Sequence, residues 1–332
     1  MAIEEIYLSG PDELEPSVLD RAQPVVLRGL VKTWDIVQGG RSGAREALKT
    51  LLTFYQGKPV ATFLAEAGHE GRFFYNDAMD GFNFLQIDAR LDDVIDKLLN
   101  CETQPDSPAL YVGSTNIDQW LPGFRAEYDL PLTHLDPIAS VWIGNQTRVA
   151  AHFDLPQNIA CCVAGRRKFR LFAPDQISNL YVGPLDLTPA GQPISLVDFE
   201  AIDYTRFPRA AEALRASETV VLEPGDAILI PSMWWHQVDA LEPLNILVNY
   251  WWSRTPAYAG SPNDALLHAL LSVRDLPPDM KRAWKLFFDY YIFNEDQAAT
   301  QHIAPEALGR LGTPNETKAK RIRAMLLNQL KR

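Results

Sequence analysis

Between residues 109 and 252 the apolar positions fall in short runs, each closed by a turn signal. Ala109-Leu110-Tyr111-Val112, Ala139 to Gly144, Gln157 to Val163, Arg167 to Phe172, Val220 to Leu222, Ala227 to Ile230 and Asn245 to Trp252 each read as a strand. They are rich in the β-branched and aromatic residues that suit a pleated, partly buried surface. Upstream, Pro24 to Gly29, Val60 to Leu64 and Arg72 to Tyr75 read the same way, whereas Arg45 to Tyr55 reads as a helix. Apolar residues at 91, 94, 95, 98 and 99 make a single stripe at helical period. Ala164-Gly165-Arg166 predicts a hairpin turn between 157–163 and 167–172. Glu223-Pro224-Gly225-Asp226 places proline and glycine where a type II turn needs them. Many short strands with one excursion, about 175 to 218, predict a mainly β domain of jelly-roll type with flanking helices, whose mouth can hold a metal and a small ligand.

After Arg254 the pattern turns helical: Asp264 to Val273, then Pro278 to Ile292 behind Pro277. Trp284, Phe287, Phe288, Tyr290 and Tyr291 give that second helix more aromatic surface than it can hide on itself, which predicts a homodimer contact. The expected division is therefore 1–255, with a barrel core of about 109–253, and a helical, dimer-forming region at 256–332.

Charge and cysteine content narrow the function. The net charge of −11 over 332 residues argues against a nucleic-acid partner, which would need a basic face. The basic run from Lys318 onward carries Ile322, Met325, Leu326 and Leu330 at helical spacing and reads as an amphipathic helix. Cys101, Cys161 and Cys162 give no disulfide framework and suit free thiols in a reducing compartment. With neither a signal-peptide pattern nor a long apolar span, the expectation is a cytoplasmic protein without a membrane partner.

The candidate chemistry lies in His152-Phe153-Asp154 and in His236, within Pro-Ser-Met-Trp-Trp-His. Residues two apart on a strand share a face, so His152 and Asp154 can grip one ion, and a third ligand from a neighbouring strand completes a two-histidine, one-carboxylate set. Such a set is typical of non-haem Fe(II) oxygenases. A second triplet, His134-Leu135-Asp136, sits between Pro131 and Pro137 and reads as a loop. Of the adjacent tryptophan pairs 234/235 and 251/252, alternation predicts one member facing the pocket in each.

These motifs, taken in order, resemble the JmjC/cupin-like 2-oxoglutarate oxygenases, nearest the branch of the hypoxia-inducible-factor asparaginyl hydroxylase and bacterial cupin-like proteins. The resemblance runs over roughly residues 20 to 255. It is carried by His152 to Asn158, Gly165 to Pro174, Pro224-Gly225-Asp226, Ile230 to His236 and Val248 to Trp251. It implies a double-stranded β-helix (cupin barrel) with Fe(II) on His152, Asp154 and His236, 2-oxoglutarate as co-substrate, and O2. The reaction implied is hydroxylation of a protein or peptide side chain or a small molecule, with succinate and CO2 as co-products. Tyr111, Asn158, Arg167 and Asn249 match co-substrate positions. Arg167 stands where the family usually has lysine, with Lys168 as the alternative on the opposite face. Val149 replaces a threonine hydroxyl. Two other readings remain open: a metal-binding cupin-like protein without turnover, and another metal-dependent cupin enzyme such as an isomerase.

Overall fold

The computed structural model describes residues 3–331 except 103, 105, 190 and 295–298. The chain divides into two compact units, residues 1–254 and 255–332.

The first unit opens with β1 (Glu4–Tyr7), helix α1 (Pro16–Leu19), β2 (Val25–Arg28) and two helices, α2 (Asp35–Ser42) and α3 (Ala44–Phe54). Strands β3 (Val60–Ala65), β4 (Arg72–Phe73) and β5 (Phe84–Ala89) lead to α4 (Leu91–Cys101), whose stripe of Leu91, Val94, Ile95 and Leu98 is buried. Next come β6 (Ala109–Asn116), the short helices α5 (Ile117–Trp120) and α6 (Phe124–Glu127), β7 (Ile138–Gly144), β8 (Arg148–Phe153), β9 (Gln157–Ala164) and β10 (Arg167–Phe172). The excursion carries α7 (Ala210–Ala216). The last four strands are β11 (Glu218–Leu222), β12 (Ala227–Ile230), β13 (Trp235–Ala240) and β14 (Asn245–Trp252).

The larger sheet runs β1-β2-β12-β9-β14-β7-β6-β3-β5 and the smaller β11-β10-β13-β8-β4. This is the jelly-roll barrel with flanking helices that the alternating runs predict. Side-chain alternation divides the core. From β9, Ile159, Cys161 and Val163 join the cluster beneath α2, α3 and α4, while Ala160 and Cys162 face the smaller sheet. Both faces of β9 are covered, so all eight of its residues are buried. Adjacent Cys161 and Cys162 are free thiols on opposite faces.

One expectation is corrected. β9 and β10 do not pair as a hairpin: β9 lies between β12 and β14, and β10 between β11 and β13. The turn at Gly165 carries the chain from one sheet to the other. Gly165 has φ +73, and a Cβ there would come within 2.3 Å of Asn245 Oδ1, so the corner needs glycine. Glu223 to Asp226 makes the matching corner between β11 and β12, with Gly225 at φ +105 and the Asp226 N–H donating to the Glu223 carbonyl. A local hairpin signal cannot tell a turn within a sheet from a corner between sheets, because both need tight reversal.

In the second unit, α8 (Pro262–Ser272), α9 (Pro278–Phe288) and α10 (Glu316–Leu330) contain no buried residue among those described. The Trp284 ring lies tilted against Phe287 at 5.7 Å, and both remain about half exposed. No helix of the described residues is long and apolar enough to cross a membrane.

Candidate active site

His152 on β8 and His236 on β13 are direct cross-strand partners, with ring centroids 4.3 Å apart. The β8 register slips between them and the next pair, Val149 and Val238, so three steps on β8 match two on β13. This bulge brings both Val149 and His152 into the barrel. Asp154 lies just past the end of β8, in the turn to β9. That turn is tied to the Pro231–Trp234 turn: the Met233 N–H donates to the Asp154 carbonyl at 2.9 Å, and Ser232 Oγ donates to the Leu155 carbonyl at 2.6 Å. Met233 pays with a left-handed backbone, φ +68.

These constraints bring one ligand atom from each of His152, Asp154 and His236 to within 4.8 Å of one another. His236 Nε2 lies 3.7 Å from Asp154 Oδ2. The Nδ1 atoms of both imidazoles face backbone carbonyls, Ala150 O at 2.9 Å and Trp234 O at 3.0 Å. A carbonyl only accepts, so each Nδ1 carries the proton and each Nε2 keeps its lone pair for an ion. Burial, reinforced by the neighbouring His152, pushes the His236 pKa down to about 4. His134 and Asp136, by contrast, lie exposed in a short 3₁₀ turn outside the group.

The triad opens into a cavity of about 450 Å³ between the two sheets. Tyr111, Asn158, Arg167 and Asn249 all line it, as does Val149. Arg167 is 2% exposed, and its Nε and Nη2 atoms make no hydrogen bond among the described residues. Those two nitrogens form the edge of the guanidinium that matches a carboxylate's two oxygens. The Tyr111 hydroxyl rests against Arg167, and burial pushes its pKa up to about 12, so it stays a neutral donor. Lys168 points to the other face, where it pairs with Glu200 and Asp239, each at 2.9 Å.

Asn158 and Asn249 sit in the cavity wall but are already engaged. Asn158 Nδ2 donates to Asp154 Oδ2 at 3.1 Å, and Asn249 Nδ2 donates to Asn158 Oδ1 at 3.3 Å. Of the tryptophans, Trp251 lines the cavity while Trp252 packs in the outer core. Neither Trp234 nor Trp235 lines it, contrary to the expectation for that pair. His236 takes the inward position on β13, which turns Trp235 outward onto Phe153, and Trp234 precedes the strand with its indole bonded to Ala22 O.

Trp142 also lines the cavity, although it belongs to none of the motifs that carry the resemblance. Its signal was present: it alternates with Val141 and Ile143, whose outward burial leaves Trp142 facing in. Phe63, Phe73 and Phe84, and Gln192 from the excursion, complete the walls from distant segments.

A family model for the cupin-like domain matches residues 11–258. The chain belongs to the cupin-like family. Within it, the JmjC-type 2-oxoglutarate/Fe(II) oxygenases are its relatives. A lysine-specific demethylase of Arabidopsis thaliana is 36% identical over 112 residues, 33% of this chain and 20% of that protein. Lysine-specific demethylase 8 of Xenopus tropicalis is 33% identical over 115 residues, 34% of this chain and 25% of that protein. The tRNA wybutosine-synthesizing protein 5 of Danio rerio is 27% identical over 145 residues, 39% of this chain and 41% of that protein. This cupin-like chain thus spans less than half the length of these curated relatives.

Proposed function

We propose that this cupin-like protein is an Fe(II)- and 2-oxoglutarate-dependent oxygenase that hydroxylates a protein or peptide side chain or a small molecule, releasing succinate and CO2. The observation that carries the reading is one cavity that joins a two-histidine, one-carboxylate cluster to a buried guanidinium whose Nε–Nη2 edge has no partner among the described residues. A charge buried that deeply with two of its three nitrogens unpaired is costly, and an incoming carboxylate would offset the cost.

The residues fit both groups. His152, Asp154 and His236 would hold the metal, and Arg167 with Tyr111 would take the far carboxylate of 2-oxoglutarate. When bound, the metal and keto acid supply O2 activation and the oxidation of a substrate C–H bond. The chain's own contribution is positioning. Both imidazoles are set to ligate through Nε2, and the depressed pKa keeps His236 unprotonated at neutral pH, as ligation requires. Arg167 would orient the co-substrate, and the aromatic walls would screen the site from water.

The cavity's lining also bears on substrate. Beyond the triad, Tyr111 and Arg167, it presents no ionisable side chain among the described residues. That favours an uncharged reacting group. A lysine-derived cation, the target in the names of two relatives, would meet no carboxylate there except Asp154.

Val149 favours a second reading, metal binding without turnover, because it offers the co-substrate a hydrocarbon wall in place of a hydroxyl. One experiment separates the two. Anaerobic Fe(II) with 2-oxoglutarate should give a weak visible charge-transfer band, and admitting O2 should convert 2-oxoglutarate to succinate. A band without succinate, over a panel of candidate substrates, would favour the binding protein. Absence of both band and iron uptake would overturn the metal reading altogether.

A further inference from the structure

We infer that Trp142 and Trp251 are positioning residues that fix the orientation of the metal carboxylate Asp154 through a one-way chain of hydrogen bonds. The inference rests on the metal reading above and deepens it.

Two donors converge on Asp154 Oδ2: the Trp251 indole N–H at 3.1 Å and the Asn158 amide at 3.1 Å. Behind Asn158 stands Asn249, whose amide donates to Asn158 Oδ1, and behind Asn249 stands Trp142, whose indole N–H donates to Asn249 Oδ1 at 2.7 Å. The sheet register holds these groups together. Trp251 pairs with Asn158 across β14 and β9, and Trp142 pairs with Leu247 on β14, two residues before Asn249. Asn158 and Asn249 are nearly fully buried, so water cannot substitute for a lost partner.

Direction is the important property. A carboxamide can rotate by half a turn and exchange its oxygen for its nitrogen, but an indole N–H can only donate. Trp142 therefore compels Asn249 to present its oxygen to the indole and its nitrogen to Asn158. Asn158 must then present its oxygen to Asn249 and its nitrogen to Asp154. The Asp154 carboxylate, which only accepts, sets the same direction from the other end, so without the Trp142 N–H the Asn249 Oδ1 loses its donor and the two amides are held from the carboxylate end alone. Trp251 fixes the carboxylate from a second direction. Trp142 also touches both ends of the site, stacking on Tyr111 at 5.8 Å and 26°, and meeting Trp251 edge-on at 5.8 Å and 88°.

The test is Mn(II) affinity of the full chain, read from the electron paramagnetic signal of the free ion, without turnover. Groups that orient metal ligands typically contribute about 10- to 100-fold in affinity. Trp251→Phe should weaken Mn(II) within that range. Trp142→Phe keeps the ring but loses the N–H, and should weaken Mn(II) by about three- to tenfold, being further from the ion. Trp252→Phe, on the opposite face of β14, should leave Mn(II) affinity unchanged even if it lowers the melting temperature. If a cavity variant fails to fold, wild-type protein carrying ¹⁵N-tryptophan serves instead. Zn(II) should shift the indole N–H resonances of Trp142 and Trp251 but not of Trp252. Wild-type Mn(II) affinity in Trp142→Phe, or an unmoved Trp142 resonance, would overturn the chain. Failure of the wild type to bind either ion would instead overturn the metal reading on which it rests.

Discussion

At Arg167 the chain buries a guanidinium whose Nε and Nη2 find no partner among the described residues, while Lys168, one residue on, is held by two carboxylates. The pair makes a clean comparison. A hydrogen bond to a charged group contributes about 1.5–3 kcal/mol, so Arg167→Ala should weaken 2-oxoglutarate binding roughly ten- to a hundredfold. Lys168→Ala should leave it near wild type. Titration of Mn(II)-loaded protein with 2-oxoglutarate checks both, and a large loss in the lysine variant alone would move the anion site to the other face. The two His-x-Asp triplets offer a similar comparison. His152→Ala and His236→Ala should abolish metal retention, whereas His134→Ala should retain it, as measured by iron content after desalting. Retention in the first two would remove them as ligands.

At the scale of elements, the two corners between sheets decide whether the site assembles. Gly165 turns the chain so that Arg167, two residues later, enters the cavity from β10 while Asn158 faces it from β9. A side chain at Gly165 meets Asn245 Oδ1 and the Leu244 carbonyl, at a φ that L-residues rarely adopt. Gly165→Ala is therefore expected to cost about 1–3 kcal/mol, seen as a lower denaturant midpoint. Because the corner sets the start of β10, the surviving folded protein should bind 2-oxoglutarate less well than Mn(II). An unchanged midpoint would show that the corner relaxes freely. Here the sequence was half legible. The glycine announced a turn, but whether the flanking strands pair with each other depends on the partners available elsewhere, here β12 and β14 for β9, and β11 and β13 for β10.

For the whole molecule, the C-terminal unit raises the question of what covers its helices. Leu271, Trp284, Leu286, Phe287, Tyr291, Ile292 and Phe293 are 45–77% exposed. A large apolar side chain contributes about 1.5–3 kcal/mol when it becomes fully buried, so surface of this extent favours association. We propose a homodimer through α9, joined by the two-fold contact commonest among oligomers. Light scattering should report about twice the 37.3 kDa chain mass. The double variant Trp284→Ser/Phe287→Ser should shift it toward the monomer while Mn(II) binding persists. A monomeric wild type at micromolar concentration would dispose of the dimer.

The sequence by itself determined what depends on near neighbours. Period-two alternation told which residues of β7, β9 and β14 share a face, so Asn158, Asn249 and one member of the 251/252 tryptophan pair could be placed beside the site from spacing and family motif together. The proline-bounded setting of His134 separated the loop triplet from the strand triplet. Opposite orientations for Arg167 and Lys168 followed from the pleat alone. Tertiary structure decided what depends on partners far along the chain. Only the β8–β13 register sets His152 against His236, and the bulge in β8 that turns Val149 inward has no signature in the local pattern. The same is true of the hydrogen-bond chain from Trp142 to Asp154. Its members lie on β7, β14 and β9 and in the turn before β9, up to 107 residues apart. Alternation fixes the face a side chain takes, whereas the pairing of strands, a competition among all the edges the folded chain offers, fixes which other side chains it meets there.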